Sequence, residues 1–400
     1  MTTRKRILYV SPFPYSTSSG DGGATACASA LELLQDHFDV GMVCFSRETP
    51  GEKISETQLR KSLNWFRTIP LRINKFDVIK AKLGSLTLNP EQSAYYNQAD
   101  MRSAIQEEIE HIKPDVVIYQ FPQMAQFICH HHQNALNVMD VQDAFSVSAF
   151  RKIATAGNLT KMLYAALQWI GWIHYEKKHY QKFDQVWTLS KQDAYGLTAF
   201  SPSLHPRVLG LPLQDPGTVP ISTQATKADF RVGFIGSFSH PPNIEAVEFI
   251  CKEIAPRFKP SDVTFVLAGR NPPEHLLKQA PSNVKFLGFV EHLSDFYDSV
   301  DIIVAPLFSG GGIKIKVAEA LLHSKAIVTT AIGAEGLDLQ NGRHVLLASH
   351  IDDFVAHIEA LRTSKPQRSQ LALQARLHAT EHLAREQWLV RALGHLSTPT

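Results

Sequence analysis

Cysteine is nearly absent from this chain. Its four residues, Cys27, Cys44, Cys129 and Cys251, lie far apart and form no C-x-x-C pair. That excludes a disulfide framework and a cysteine zinc cluster as organising devices, and points to a reducing compartment. Neither sign of charge dominates. The chain has 40 Lys and Arg against 38 Asp and Glu, a formal net charge of +2. A nucleic-acid-binding domain carries a far more basic balance, so no nucleic-acid partner is expected. Long apolar runs are missing as well. Nothing reaches the roughly 18 consecutive apolar residues of a membrane-spanning helix. Ile7-Leu8-Tyr9-Val10, directly after Arg4-Lys5-Arg6, is too short and wrongly followed for a secretory leader. A cytoplasmic protein is expected.

Several catalytic signatures are lacking too. There is no P-loop G-x-x-x-x-G-K-[ST], no G-x-S-x-G elbow and no G-x-G-x-x-G dinucleotide fingerprint. Asp140-Val141-Gln142-Asp143 is not the D-x-D of metal-dependent transferases. His130, His131 and His132 are consecutive, cannot share one helix face and make a poor metal site. Neither a metal nor a resident cofactor is expected.

What is present describes a soluble chain of 400 residues, 44% hydrophobic and 20% charged, long enough for two domains. A strand at 7–10, a loop with Gly20, Gly22 and Gly23, a helix over 24–34 and a strand over 38–45 make a βαβ opening. Gly22-Gly23 then sits at a helix N-terminus. Strand-like runs recur at 116–119, 136–139 and 185–189 between helical stretches. Residues 213–229, rich in Pro, Thr, Ser and Gln, read as a linker. The second half starts afresh with Arg231-Val232-Gly233-Phe234-Ile235-Gly236, a helix over 243–258, and strands at 263–267, 284–287, 302–308 and 326–330. The expected architecture is α/β: two Rossmann-like, doubly wound domains facing each other across a cleft. They would span 1–212 and 230–385, with a C-terminal helix and tail over 386–400 packing back on the first. Within the tail, Trp388 is a candidate anchor.

Two stretches carry local oddities. Arg60, Lys61, Arg67, Arg72, Lys75, Lys80 and Lys82 face a single Asp77 and interleave with Trp65, Phe66, Leu71, Ile73, Phe76, Val78 and Ile79. This is either a solvated basic face or a peripheral membrane contact through 60–82. The aromatic run over 163–175 is too short to span a bilayer and reads as a core helix. The second oddity is at 309–316, where Ser309-Gly310-Gly311-Gly312 precedes a helix that carries Lys314 and Lys316 in its first turn. Lysines there oppose the positive end of the helix dipole. Glycines free backbone N–H groups to approach an anion closely. The combination suits a di-anion such as a pyrophosphate, and a broken local rule often marks function.

Taken together, Phe286-Leu287-Gly288-Phe289-Val290, Ala305-Pro306-Leu307, Gly310-Gly311-Gly312-Ile313-Lys314-Ile315-Lys316-Val317-Ala318-Glu319-Ala320 and Ala334-Glu335-Gly336-Leu337 resemble a known family. The chain resembles the GT-B-fold, nucleotide-sugar-dependent retaining glycosyltransferases of the group 1, or family-four-like, kind, which include bacterial polysaccharide and glycolipid transferases. Pro242-Asn243 after Gly236-Ser237 fits one branch of that group. The resemblance implies a transferase moving a sugar from a nucleotide sugar to a hydroxyl of a glycan or lipid-linked acceptor. By the resemblance, Glu319 is the second of two glutamates separated by seven residues and bonds the donor ribose. Lys314, Lys316 and the N–H groups around Gly311, Gly312 and Ile313 hold the diphosphate, with Gly236 and Ser237 beside them. Gly22 and Gly23 add donors from the N-terminal domain, and Arg270, Asn271 and Val290 line the base pocket. The first glutamate falls at Gly311 and is missing. The arginine common after the Gly236 strand is Ser237 or Phe238. A histidine common after the fifth strand is replaced by Met139, leaving Asp140 or Asp143 as base or sugar ligand; Asp143 reads equally as a helix cap. These departures keep two alternatives open: a non-catalytic GT-B partner or scaffold, and a nucleotide-sugar epimerase.

Overall fold

The computed structural model describes residues 4–15, 22–128, 135–154, 156–217 and 230–397. Gly20, the histidines at 130–132 and residues 218–229 of the expected linker lie outside them. The chain divides into two compact units, Met1–Pro212 with Trp388–Thr400, and Leu213–Gln387.

The first unit is built on a parallel sheet of β1 (Arg6–Ser11), β2 (Asp39–Ser46), β3 (Trp65–Pro70), β4 (Val116–Gln120), β5 (Leu136–Asp140), β6 (Gln185–Thr188) and β7 (Arg207–Val208). Their order in space is β3-β2-β1-β4-β5-β6-β7. The central strands are buried on both faces, which is why they read as continuous apolar runs rather than as alternation. Alternate residues feed two different cores, as the period of two requires. Leu8, Val10, Val43, Phe45, Val117 and Tyr119 join one cluster. Ile7, Tyr9, Val40, Met42 and Ile118 join the other. Into this second cluster the helix Arg385–Ser397 places Trp388, Ala392 and Leu396, beside Leu31, Trp187 and Leu209.

The second unit carries β8 (Phe230–Ile235), β9 (Val263–Ala268), β10 (Val284–Gly288), β11 (Ile302–Ala305), β12 (Ala326–Thr329) and β13 (Leu346–Leu347) in the order β10-β9-β8-β11-β12-β13. All pairs are parallel. The fold is thus α/β with two Rossmann-like sheets.

Local differences from expectation have local causes. The strand expected over 302–308 stops at Ala305 because Pro306 has no N–H for the ladder, and Leu307 turns back onto the Ala305 carbonyl at 2.9 Å. The helix expected over 243–258 is Pro241–Phe249; it loosens into a wide turn at Ile250–Ile254 and tightens at Ala255–Arg257 around Pro256. The basic stretch 60–82 is no single amphipathic element. It spans the end of the helix Pro50–Ser62, all of β3 and most of the helix Lys75–Gly84. The core helix expected over 163–175 is longer, Leu159–Tyr180, and only its second half is core. Full burial begins at Gly171, because one face of the first half meets residues 85–91 through polar groups and Leu159 and Leu163 stay in solvent. Cys27, Cys44 and Cys251 are buried. No helix among the described residues is long and apolar enough to cross a membrane.

Trp388 is 4% exposed. Trp388→Ala is expected to cost about 3–5 kcal/mol by cavity formation, read as a lower urea midpoint for the first unit. A loss under about 1 kcal/mol would show that the C-terminal helix contributes no packing to that core.

Candidate functional site

In the second sheet the chain leaves β8 toward β9 on one side and returns to β11 on the other. This reversal opens a crevice beyond the carboxyl ends of β8 and β11, the usual place for a ligand in an open α/β sheet. The residues after those strands, Gly236-Ser237 and Ser309 to Lys314, flank it. One side-chain clasp joins the two loops. Lys316, in the first turn of the helix Ile315–Leu322, donates from Nζ to Asn243 Oδ1 at 2.7 Å. Asn243 in turn donates from Nδ2 to the Ser237 carbonyl at 2.6 Å.

The clasp needs a glycine beneath it. A Cβ on Gly236 would lie 2.9 Å from both Lys316 Cε and Asn243 Nδ2. Gly310 and Gly312 hold the next loop with φ of 98° and 65°, a left-handed backbone that side chains resist. Lys314 does something different from its neighbour. Buried at 8% exposure, it donates to the Gly312 carbonyl at 2.7 Å and the Gly311 carbonyl at 3.1 Å, with Glu335 at 3.8 Å. Its ammonium braces the underside of the glycine loop. The helix begins at Ile315 rather than 313, so Lys314 is its N-cap and Ile313 belongs to the loop.

Electrostatics set Lys316 and Glu319 apart. Burial drives the Lys316 ammonium down to about 8; the Glu319 charge opposes this and the Lys314 charge adds to it. Burial lifts the Glu319 carboxyl to about 7, against the pull of Lys316. Both side chains stay partly open to solvent. A carboxylate and an ammonium one turn apart are thus held near the edge of ionisation at neutral pH. Such displaced pairs cluster where a ligand supplies the missing solvation.

Arg270 and Asn271 follow β9, and Val290 follows the neighbouring β10. The Arg270 guanidinium stacks 4.1 Å over the exposed Phe289 ring, and Asn271 sits in the left-handed region at φ 56° beside Ser239. Val290 is half-buried next to Phe289.

The remaining candidates belong to the first unit. Gly22 and Gly23 open the helix Gly22–Gln35 behind β1. Asp140 ends β5, and its Oδ2 accepts from Gln120 Nε2 at 2.9 Å and Gln142 Nε2 at 2.7 Å. Burial raises Asp140 to about 6 in spite of those bonds. It borders a cavity of about 10 Å³ with Ala26, Leu209 and Trp388, space for a single water. Asp143 accepts the Ser148 hydroxyl on both oxygens, at 2.8 and 2.9 Å. Behind it the buried Glu176 accepts from the Ser146 N–H at 3.1 Å and is lifted by burial to about 7.

Sequence reasoning found no role for Asn243, Glu335, Gln120, Gln142 or Glu176. Their partners lie two to 73 positions away, and no periodicity connects them. The one available signal was Gly236, a glycine directly after β8. Among the described residues, no three His, Cys, Asp or Glu are grouped to hold a metal ion.

Residues 229–364 match the family model described as glycosyl transferases group 1. The match lies within the second unit and covers most of it. A curated relative, an uncharacterized 44.6 kDa protein in the cps region of Klebsiella pneumoniae, is 27% identical over 139 residues, 32% of this chain. The match spans 36% of that protein's length, about a third. Among solved structures, HepE of Anabaena in complex with UDP superposes with a TM-score of 0.69 at 14% identity, covering 98% of this chain and 99% of that one. Sucrose-phosphate synthase of Thermosynechococcus elongatus gives 0.68 at 14% identity, covering 98% of each. At such identities these two likenesses establish a shared fold.

The displaced Glu319 carboxyl predicts a stability signature. With its folded pKa raised to about 7, the folded chain holds a proton that the unfolded chain, near 4.5, releases. Stability therefore falls as pH rises from 4.5 through 7. Glu319→Gln is expected to melt higher than the parent at pH 8 and equally at pH 4.5. An equal difference at both pH values would mean the carboxylate is not desolvated in the fold.

Proposed function

We propose that this protein is a glycosyltransferase that moves a sugar from a nucleoside diphosphate sugar to a hydroxyl of a glycan or lipid-linked acceptor, with retention of configuration. The observation that carries it is the Lys316–Asn243–Ser237 clasp across the β8/β11 crevice, with Glu319 one turn along, in a group 1 domain. HepE, whose structures hold UDP and UDP-glucose, shares the fold.

Lys316, freed from Asn243 or shared with it, meets the diphosphate and stabilises its charge as the leaving group departs. The N–H groups of Gly311, Gly312 and Ile313 add donors, on a loop that Lys314 braces from below. Ser237 and Gly236 border the same phosphates. Glu319, ionised, accepts from the two ribose hydroxyls in an oriented, charge-assisted pair of bonds. Arg270, Asn271 and Val290 take the base, with the Phe289 face beside them. Gly22 and Gly23 are proposed phosphate donors from the first unit, and Asp140 or Asp143 the base or sugar ligand. Asp140 is favoured as base by its lifted pKa near 6 and its fixed carboxylate. No side chain is proposed as a covalent nucleophile; the acceptor attacks on the face the leaving diphosphate vacates, assisted by that diphosphate.

Gly311 in place of a sugar-contacting carboxylate favours a second reading, a non-catalytic partner that binds nucleotide without turnover. A nucleotide-sugar epimerase is the third. Donor consumption only in the presence of acceptor supports transfer. Consumption without acceptor, with release of the nucleoside diphosphate, supports the epimerase. Binding without either supports the partner.

Calorimetry with UDP-, GDP- and ADP-sugars tests the site. Lys316→Ala and Glu319→Ala are each expected to weaken the preferred nucleotide about 10- to 100-fold. Unchanged affinity in both would sink this placement. The pH dependence follows from the two displaced groups. Falling pH protonates Glu319 below about 7, and rising pH discharges Lys316 above about 8. Affinity is expected to peak between those values and to fall up to about tenfold per unit beyond either side. Glu319→Gln should flatten the acid side alone. Asp140→Asn should lower turnover while leaving nucleotide affinity within about twofold.

A further inference from the structure

We propose that the first unit docks on an anionic lipid surface through the face formed by residues 72–86 and 150–170. Two segments distant in sequence are tied together there. Gln168 Nε2 donates to Ser85 Oγ at 2.7 Å, and the Glu91 N–H donates to Gln168 Oε1 at 3.0 Å. The Tyr164 and Tyr95 hydroxyls both donate to the Glu91 carboxylate, so the acidic group at this junction is covered.

Around the junction, large apolar side chains point into solvent. Phe76 is 72% exposed and Leu86 70%; Leu83, Leu159 and Leu163 are each 60–64% exposed. Ile79 and Phe150 add to them at 56%. Phe76, Ile79, Lys80 and Leu83 follow i, i+3, i+4, i+7 spacing, so the outward stripe of the helix Lys75–Gly84 is apolar with a lysine in it. An apolar patch of this kind on a soluble chain marks a contact surface.

Charge selects the occupant. Residues 71–88 hold Arg72, Lys75, Lys80 and Lys82 against Asp77, and Asp77 is engaged in the capping box with Asn74. Residues 145–164 hold Arg151, Lys152 and Lys161 and no acid. Exposed leucines and phenylalanines bordered by seven cations and two engaged carboxylates, Asp77 and Glu91, complement a surface that is apolar within and anionic at its rim, which is a bilayer rich in acidic headgroups. The earlier segment 60–67 is less suited. Arg67 is held by Glu107 at 2.8 Å and Glu108 at 3.3 Å, and Arg60 lies over the Phe66 ring. The contact therefore shifts from 60–82 toward 72–86 and gains the start of the helix Leu159–Tyr180. This inference is independent of the sugar-transfer chemistry.

The test is co-sedimentation of the full chain with phosphatidylcholine vesicles and with vesicles of equal parts phosphatidylcholine and phosphatidylglycerol. Binding is expected only to the mixed vesicles, and to weaken as salt rises. Phe76→Ser with Leu83→Ser, Leu159→Ser with Leu163→Ser, and Lys80→Glu with Lys82→Glu are each expected to lower partitioning about tenfold or more. Melting temperatures should be unchanged, since every one of these side chains is in solvent. Equal pelleting with both vesicles, or partitioning unaffected by the apolar pairs, would overturn the proposal. So would sedimentation velocity showing a dimer that the same substitutions dissolve while no vesicle is bound, which would give the face to a second copy of the chain.

Discussion

Everything at the candidate site depends on one close approach. Lys316 can reach Asn243 over the end of β8 only because Gly236 has no Cβ. That contact draws together the loops on either side of the point where strand order reverses. The ammonium that results is largely desolvated and sits at the positive end of a short helix. Each of these conditions disfavours a protonated lysine. The helix gains nothing from it, and the fold would be better served by a neutral residue. A charge kept under such conditions is the kind of departure that catalytic and binding sites commonly show.

The same logic divides the two lysines. From spacing they are equivalent, two cations on either side of Ile315 behind a glycine run. In the folded chain one reaches outward across the crevice, while the other turns beneath the loop to collect three glycine carbonyls. Backbone carbonyls clustered by left-handed glycines form a concentrated negative site, and the nearest buried ammonium satisfies it. One lysine braces the loop from below and the other spans the crevice.

The first unit shows a comparable split along the helix Leu159–Tyr180. Its second half packs Trp172, Tyr175 and Tyr180 into the core, and its first half leaves Leu159 and Leu163 in water. Composition made the whole segment look like core, since an aromatic- and leucine-rich run carries no mark of which half finds a neighbour. The basic stretch before it was legible as unusual, yet its grouping was misleading, because Arg67 is neutralised by glutamates some forty residues on.

Much of this protein was written in local pattern. Strands buried on both faces read as apolar runs, glycine loops at their ends read as ligand-facing turns, and the group 1 resemblance rested on contiguous residues around Gly310 to Ala320. Those features depend on the conformational preferences of neighbours, so a linear reading recovers them. Asn243 against Lys316, Gln120 against Asp140, Trp388 in the first unit's core and the joining of residues 85 and 168 depend on which strands lie side by side. Strand order is settled by the packing of whole sheets, and only after it is settled do side chains dozens of positions apart acquire a distance. The sequence by itself determined the two wound domains and the glycine-rich turn that precedes the helix bearing Lys316 and Glu319. Tertiary structure alone decided which lysine spans the crevice, which carboxylates lose their water and which apolar residues are left outside, because desolvation and close contact are properties of the packed chain.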